Sequence, residues 1–317
     1  MPIKPQRLSY GDTVGIVAPA SPPRDPKGIN LALAVVEKLG FKVKLAPNAR
    51  KRWGFLAGSD RDRAADLMKM FIDPKVRAIL CLRGGYGAAR LLPLLDYRSI
   101  KAHPKIFIGY SDITALHCAL LARSNLISFH GPMLTSDFLR KDFPQFSLHS
   151  LLRALMEPTA AGPVSVGCRE QPVTILRPGK ASGRLLGGNL TILCATLATP
   201  FQPSFRNAIL FFEEVDEAPY RLDRMLTQLL NAGLLQQVSG IAVGRMSNCR
   251  EPGAKNRSQF RQTAVDVLRE RLLPLRVPIV SGIPFGHAGC NATLPVGARA
   301  TLNADDGDLW ITESAVQ

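Results

Sequence analysis

No stretch of the 317-residue chain approaches about eighteen uninterrupted apolar residues, so nothing in it reads as a membrane-spanning helix. Its opening, Met1 to Asp12, lacks the apolar core of a secretory signal, which leads to the expectation of a cytoplasmic protein. Cysteine is sparse: Cys81, Cys118, Cys168, Cys194, Cys249 and Cys290 are scattered, never spaced as Cys-x-x-Cys, and are expected to be reduced packing residues. The five histidines are equally dispersed, so no metal site is expected. Acidic residues are the scarcer charge, 25 against 40 Lys and Arg, for a formal net charge of +15. That excess is spread along the chain without a nucleic-acid-binding signature, which fits an anionic small substrate better than nucleic acid. Gly84-Gly85-Tyr86-Gly87 lacks the further glycine a dinucleotide loop requires, and no acid follows at the right distance, so no organic cofactor is expected either.

What the chain does contain is alternation. Apolar runs at Thr13 to Ala18, Phe41 to Leu45, Val76 to Leu82 and Ile106 to Ile108 are separated by segments of helical spacing, such as Ile29, Leu33, Val36 and Leu39. This predicts an α/β fold, a doubly wound parallel sheet over the N-terminal half. Helices are expected from Ser59 to Phe71 and from Ala88 to Leu95. Proline and glycine crowd the stretch Pro158 to Gly179, which reads as a linker. The expected division is therefore 1–155 for a first domain, 156–181 for the linker and 182–317 for a smaller, β-rich α+β domain. Within the last, strands are expected at Ala208 to Phe212, Gly240 to Val243 and Val277 to Val280, helices at Pro219 to Leu230 and Phe260 to Leu273, and an antiparallel tail from Leu294 to Thr312.

Lys105-Ile-Phe-Ile-Gly-Tyr-Ser-Asp-Ile-Thr-Ala-Leu-His117 reads as a buried strand, a tight turn carrying Ser111, and an immediate helix. Such a turn presents a side chain at the end of a sheet, with unpaired helix N–H groups behind it. The plainer reading is that Ser111 or Asp112 caps the helix. A serine needs a base and an orienting acid to act as a nucleophile. Two histidines compete for the base: His287, inside the turn-rich Gly282 to Gly289, and His130, at the end of its own strand. His117 lies within the helix after Ser111, and His103 and His149 stand in polar contexts. Glu213 comes straight off an apolar strand, whereas Glu214, Asp216 and Glu217 could instead favour the N-terminus of the Pro219 helix. Arg83, Arg221 and Arg224 are candidate anchors for a substrate carboxylate, unless they pair with that acidic cluster.

Arg83-Gly-Gly-Tyr-Gly87, Gly109-Tyr-Ser-Asp112, His130-Gly-Pro132, Gly187-Gly-Asn189, Phe212-Glu-Glu-Val215 with Pro219-Tyr-Arg221, and Gly286-His-Ala-Gly289 together resemble the LD-carboxypeptidases, or muramoyltetrapeptide carboxypeptidases, in the same order along nearly the whole chain. The resemblance implies a serine peptidase with Ser111 as nucleophile, Glu213 as acid and His287 as base, and an oxyanion site from the backbone N–H groups of Gly85 and Asp112. It also implies an N-terminal domain like the class I glutamine amidotransferases, a homodimer, and release of terminal D-alanine from cytoplasmic murein tetrapeptides in cell-wall recycling, with a small muropeptide as partner and no nucleic acid or membrane. Position 113 is Ile where an ordinary Gly-x-Ser-x-Gly hydrolase elbow has glycine. Two rival functions remain: a microcin-immunity type of hydrolase acting on peptide–nucleotide or acyl-sulfamoyl adenylate conjugates, and a non-catalytic muropeptide-binding protein.

Overall fold

Strands covered on both faces are built of near-continuous Val, Ile and Leu, and three segments of this kind form the middle of the first sheet in a computed structural model, which describes residues 2–168, 173–250 and 262–317. The first half runs β1 (Thr13–Val17), α1 (Gly28–Lys38), β2 (Lys42–Leu45), α2 (Asp60–Ile72), β3 (Val76–Cys81), α3 (Tyr97–Ala102), β4 (Ile106–Gly109), α4 (Thr114–Ala119), β5 (Ser128–His130) and α5 (Gln145–Met156). β2, β1, β3, β4 and β5 lie side by side and parallel, as the alternating pattern predicts. Ser59 caps α2, its Oγ accepting the Asp62 N–H at 3.1 Å. Ala88–Leu94 is a 3₁₀ segment rather than an α-helix, because Pro93 sits inside it and has no N–H to give.

The second half continues with β6 (Gly162–Pro163), β7 (Thr174–Arg177), β8 (Lys180–Asn189), α6 (Leu190–Ala195), β9 (Ala208–Val215), α7 (Pro219–Asn231), β10 (Gly240–Ser247), α8 (Ala264–Leu272), β11 (Ile279–Ser281), β12 (Leu294–Val296), β13 (Arg299–Asn303) and β14 (Asp308–Ile311). Its eight-stranded sheet has the order β6-β14-β13-β8-β9-β10-β11-β7, with β8 to β11 parallel and antiparallel strands outside them. Three expectations change. The stretch 156–181 is not bare linker, since β6 and β7 add strands at the two edges of this sheet. β12 leaves the antiparallel tail and pairs with β5, completing the first sheet. α8 begins at Ala264, where Thr263 and Asp266 form a capping box; the expected start at Phe260 lies outside the described residues.

Both sheets bury apolar cores. Ile16, Phe71, Ile79, Phe107, Leu116 and Phe129 pack around the first. β9 alternates: Leu210 and Phe212 face α7 and α8, while Ile209 and Phe211 face Val280, Phe285 and Leu302. Each such side chain contributes about 1.5–3 kcal/mol by leaving water. The period of two then sends Glu213 to the Phe211 face and Glu214 to the Phe212 face.

Candidate active site

The turn after β4 puts Ser111 at φ 62, a left-handed conformation unusual for a residue with a β-carbon. Neither reading of a helix cap describes it. The first turn has no side-chain cap, and Asp112, buried, turns its Oδ2 to the Ala88 N–H at 2.8 Å. Burial pushes the Asp112 carboxyl up to about 6, against the opposing effect of that hydrogen bond. Facing Ser111 is the turn after β3. A β-carbon on Gly84 would stand 3.0 Å from Ser111 Cβ, 3.3 Å from Ser111 Oγ and 3.3 Å from the Asp112 nitrogen, so glycine keeps that space open. Gly85 has φ +106, and Ser21 holds the turn by its flanks: Ser21 N donates to Gly84 O at 3.2 Å, and Tyr86 N donates to Ser21 Oγ at 3.1 Å. Among the described residues the Gly85 N–H makes no hydrogen bond.

β9 delivers Glu213, fully buried, beneath the loop that follows β11. Its Oε2 accepts from His287 Nδ1 at 2.7 Å and from the His287 backbone N–H at 3.2 Å. A carboxylate only accepts, so Nδ1 carries the hydrogen and Nε2 is left as the acceptor. Gly286 makes the close approach possible: it has φ +93, and a β-carbon there would lie 2.4 Å from Glu213 Cγ. Asn291 Oδ1 takes the Gly286 N–H at 3.0 Å, and Ser247 Oγ bonds the His287 carbonyl. Burial raises the Glu213 pKa, but the nearby imidazole and its hydrogen bonds outweigh it and hold the carboxyl below its ordinary value. For His287, burial acts to lower the pKa; the charge and hydrogen bond of Glu213, with Glu214 and Asp137 farther off, raise it above the ordinary value.

Ser111 and His287 line one cleft of about 600 Å³, together with Arg24, Arg83, Gly84, Gly85 and Tyr110. No hydrogen bond joins the hydroxyl to the imidazole among the described residues. Tyr110 sets the ring's position from the side, its centroid 4.8 Å from that of His287, and is itself fixed by a 3.1 Å bond from its hydroxyl to Asp137 Oδ1. Tyr110 lies inside the Gly109-Tyr-Ser-Asp112 motif, but its role, like those of Asp137 and Ser21, was not readable from the sequence, because each acts through a partner remote in the chain.

The other histidines are placed elsewhere. His130 is fully buried between Tyr110, Phe211 and Phe285, with neither ring nitrogen bonded among the described residues, and burial pushes it down to about 3. His117 is a satisfied core residue, bonded to Ser128 Oγ and Gly109 O at 2.8 Å each and held at about 4, chiefly by burial. His103 bonds its own helix through Ser99 O, and His149 lines a separate 280 Å³ pocket. Among the acids, Glu214 serves α6 rather than α7, accepting from Asn189 Nδ2 at 2.8 Å and from Thr191 N at 2.8 Å. Of the three arginines, Arg83 lines the cleft; Arg221 pairs with Glu217 at 3.2 Å, and Arg224 lies 5.6 Å from the Tyr220 ring centre.

Two family models match the chain: the LD-carboxypeptidase N-terminal domain over residues 14–131 and the LD-carboxypeptidase C-terminal domain over residues 182–302. A probable murein peptide carboxypeptidase of Bacillus subtilis is 42% identical over 301 residues, 95% of this chain and 91% of that one. The solved muramoyltetrapeptide carboxypeptidase of Oxalobacter formigenes superimposes with a TM-score of 0.80 at 32% identity, covering 94% of this chain and 97% of its own. MccF in complex with glutamyl sulfamoyl guanosine gives a TM-score of 0.87 at 26% identity, with both chains covered completely.

Proposed function

Since the chain belongs to the LD-carboxypeptidase family of serine peptidases, we propose that it hydrolyses the bond between an L-centre and a terminal D-alanine in murein tetrapeptides, using Ser111, His287 and Glu213. The observation that carries this reading is His287 on the wall of the same cleft as Ser111, held from beneath by buried Glu213 at 2.7 Å. The Ser111 proton passes to His287 Nε2 as Oγ attacks the scissile carbonyl. Negative charge moves to the carbonyl oxygen, where the Gly85 and Asp112 backbone N–H groups stabilise it. The imidazolium, steadied by Glu213, gives its proton to the departing amine of D-alanine. Water then loses a proton to the same nitrogen, attacks the acyl-enzyme, and Ser111 recovers its hydrogen.

The test is D-alanine, detected by mass, from a tetrapeptide ending in L-Lys-D-Ala, with an all-L peptide as control. Wild-type protein is expected to release it, and Ser111→Ala or His287→Ala to lose roughly 10⁴- to 10⁶-fold in kcat. Release by Ser111→Ala at near-parental rate would refute the assignment. A second reading, hydrolysis of an acyl-sulfamoyl nucleoside by the same three residues, is favoured by the whole-chain likeness to MccF. Running such a conjugate beside the peptide decides between them by kcat/KM. The cytoplasmic recycling role and the homodimer belong to the same proposal and rest on the family resemblance.

A further inference from the structure

Arg83 is the last residue before the Gly84-Gly85 turn, and it is half-buried. Its guanidinium makes one hydrogen bond, Nη1 to Pro22 O at 3.3 Å, and meets no carboxylate among the described residues. Arg52 Nη2 takes the next carbonyl, Pro23 O, at 2.8 Å. Two consecutive prolines stiffen that strip, so two guanidiniums are docked along one rigid edge with most of their donors uncommitted. Arg24 follows directly and lines the cleft, exposed. Burial, and then the charges of Arg24 and Arg52, hold Arg83 below the ordinary arginine range. The cleft also holds two carboxylates, neither bonded to Arg83: Asp25 Oδ1 takes the Lys27 N–H at 2.9 Å, and Asp216 Oδ1 takes Asn248 Nδ2 at 2.6 Å. A half-buried guanidinium with two further arginines near it and no carboxylate bonded to it suits a ligand that brings its own negative charge.

Their position says which group that is. A β-carbon on Gly84 would stand 3.3 Å from Ser111 Oγ, and one on Gly85 would stand 3.5 Å from Arg83 Nη2. Hydroxyl and guanidinium therefore flank the same two-residue turn, whose α-carbons are about 3.8 Å apart. In a peptide, the terminal carboxylate stands one residue beyond the scissile carbonyl.

We propose that Arg83, with Arg24 beside it on the cleft wall and Arg52 behind, forms the site for the terminal carboxylate of the residue released, making the cleft selective for a free C-terminus. The proposal rests on the peptidase reading of Ser111. It takes the role from Arg221 and Arg224, whose heads lie over Tyr220 at 5.8 and 5.6 Å.

Binding to Ser111→Ala, which holds peptide uncleaved, separates this from catalysis. By calorimetry the L-Lys-D-Ala tetrapeptide should bind about 10- to 100-fold more tightly than its C-terminal amide. In Ser111→Ala/Arg83→Gln the two should bind alike, and Arg83→Lys should restore only part of the preference, because a point charge lacks the guanidinium fork. Arg83→Gln should leave Tm unchanged or higher, which a structural arginine would not. Equal binding of acid and amide to Ser111→Ala, equal weakening of both by Arg83→Gln, or binding of neither overturns the proposal. If wild-type protein cleaves neither peptide while Ser111→Ala still prefers the acid, the carboxylate site stands and the peptidase reading falls. Cleavage of both with equal kcat/KM leaves the peptidase reading and removes the site.

Discussion

Ser111 holds φ 62 although a β-carbon in the left-handed region costs about 1–2 kcal/mol. That cost is borne at the residue proposed to react, which gives a prediction separable from activity. Ser111→Gly should be about 1 kcal/mol more stable than wild type in urea unfolding, Ser111→Ala should not, and neither should release D-alanine. A glycine variant no more stable than the alanine one would mean that the turn stores no strain. His130 answers a different question at this scale. Fully buried and pushed down to about 3, it stays neutral where His287 is held high. His130→Phe should therefore keep kcat/KM within about tenfold, while His287→Ala loses it. The sign with pH follows: between about 6.5 and 3 the unfolded chain binds a proton that folded His130 refuses, so wild type loses stability on acidification by roughly 1.4 kcal/mol per pH unit relative to His130→Phe. Thermal melts of the pair from pH 7 to 4 check this.

Elements decide which of several similar residues reaches the cleft. Along β9 the alternation of faces separates Glu213 from Glu214, one beside His287 and the other beside Asn189 and Thr191. Glu213 was legible as the acid directly off an apolar run, but the run Ile209 to Phe212 is apolar throughout and hides the alternation that sends Glu214, itself still in β9, to the other face. The choice between His130 and His287 was not legible from the residues, because His130 ends a short apolar strand and His287 follows one; burial, the bond to Glu213 and the place on the cleft wall distinguish them. Arg24 and Arg52 left no trace either, since Arg24 nears Arg83 only because Arg83 bonds the Pro22 carbonyl, and Arg52 reaches the Pro23 carbonyl from a separate loop. The 3₁₀ form of Ala88–Leu94 was in principle readable from Pro93. Gly286 belongs here as well, because a turn rather than a strand brings the imidazole onto the acid. Gly286→Ala would place a methyl 2.4 Å from Glu213 Cγ at φ +93, so Glu213 must move. The expected result is a fall in kcat of about 100-fold or more with little change in KM, and about 1–3 kcal/mol of destabilisation from overpacking. Equal effects on kcat and KM, or none, would show that the acid's position tolerates the shift.

At the scale of the molecule, the sequence pattern suggests two successive units, but the chain stitches them together. β12 comes from the C-terminal half yet covers the edge of β5, with Leu294 opposite His130 and Val296 opposite Ser128. The last residues return too: Gln317 N donates to Pro5 O at 3.0 Å, Arg7 N donates to Gln317 O at 2.9 Å, and Ala315 and Val316 are buried in the first core. Without these segments the first sheet would present an open edge to solvent and lose apolar cover. A three-residue strand and a chain end have too few residues for a pattern to announce their partners, which is why the crossing was not read beforehand. It carries a consequence for cooperativity. The chain's two tryptophans stand one in each half, Trp53 in the loop between β2 and α2 and Trp310 on β14. Single-tryptophan variants, Trp310→Phe and Trp53→Phe, should unfold in urea at coincident midpoints and with the same slope, because neither half keeps its core when the other opens. Two midpoints well separated, with D-alanine release lost at the lower one, would instead show halves that fold independently and a cleft that needs only their contact.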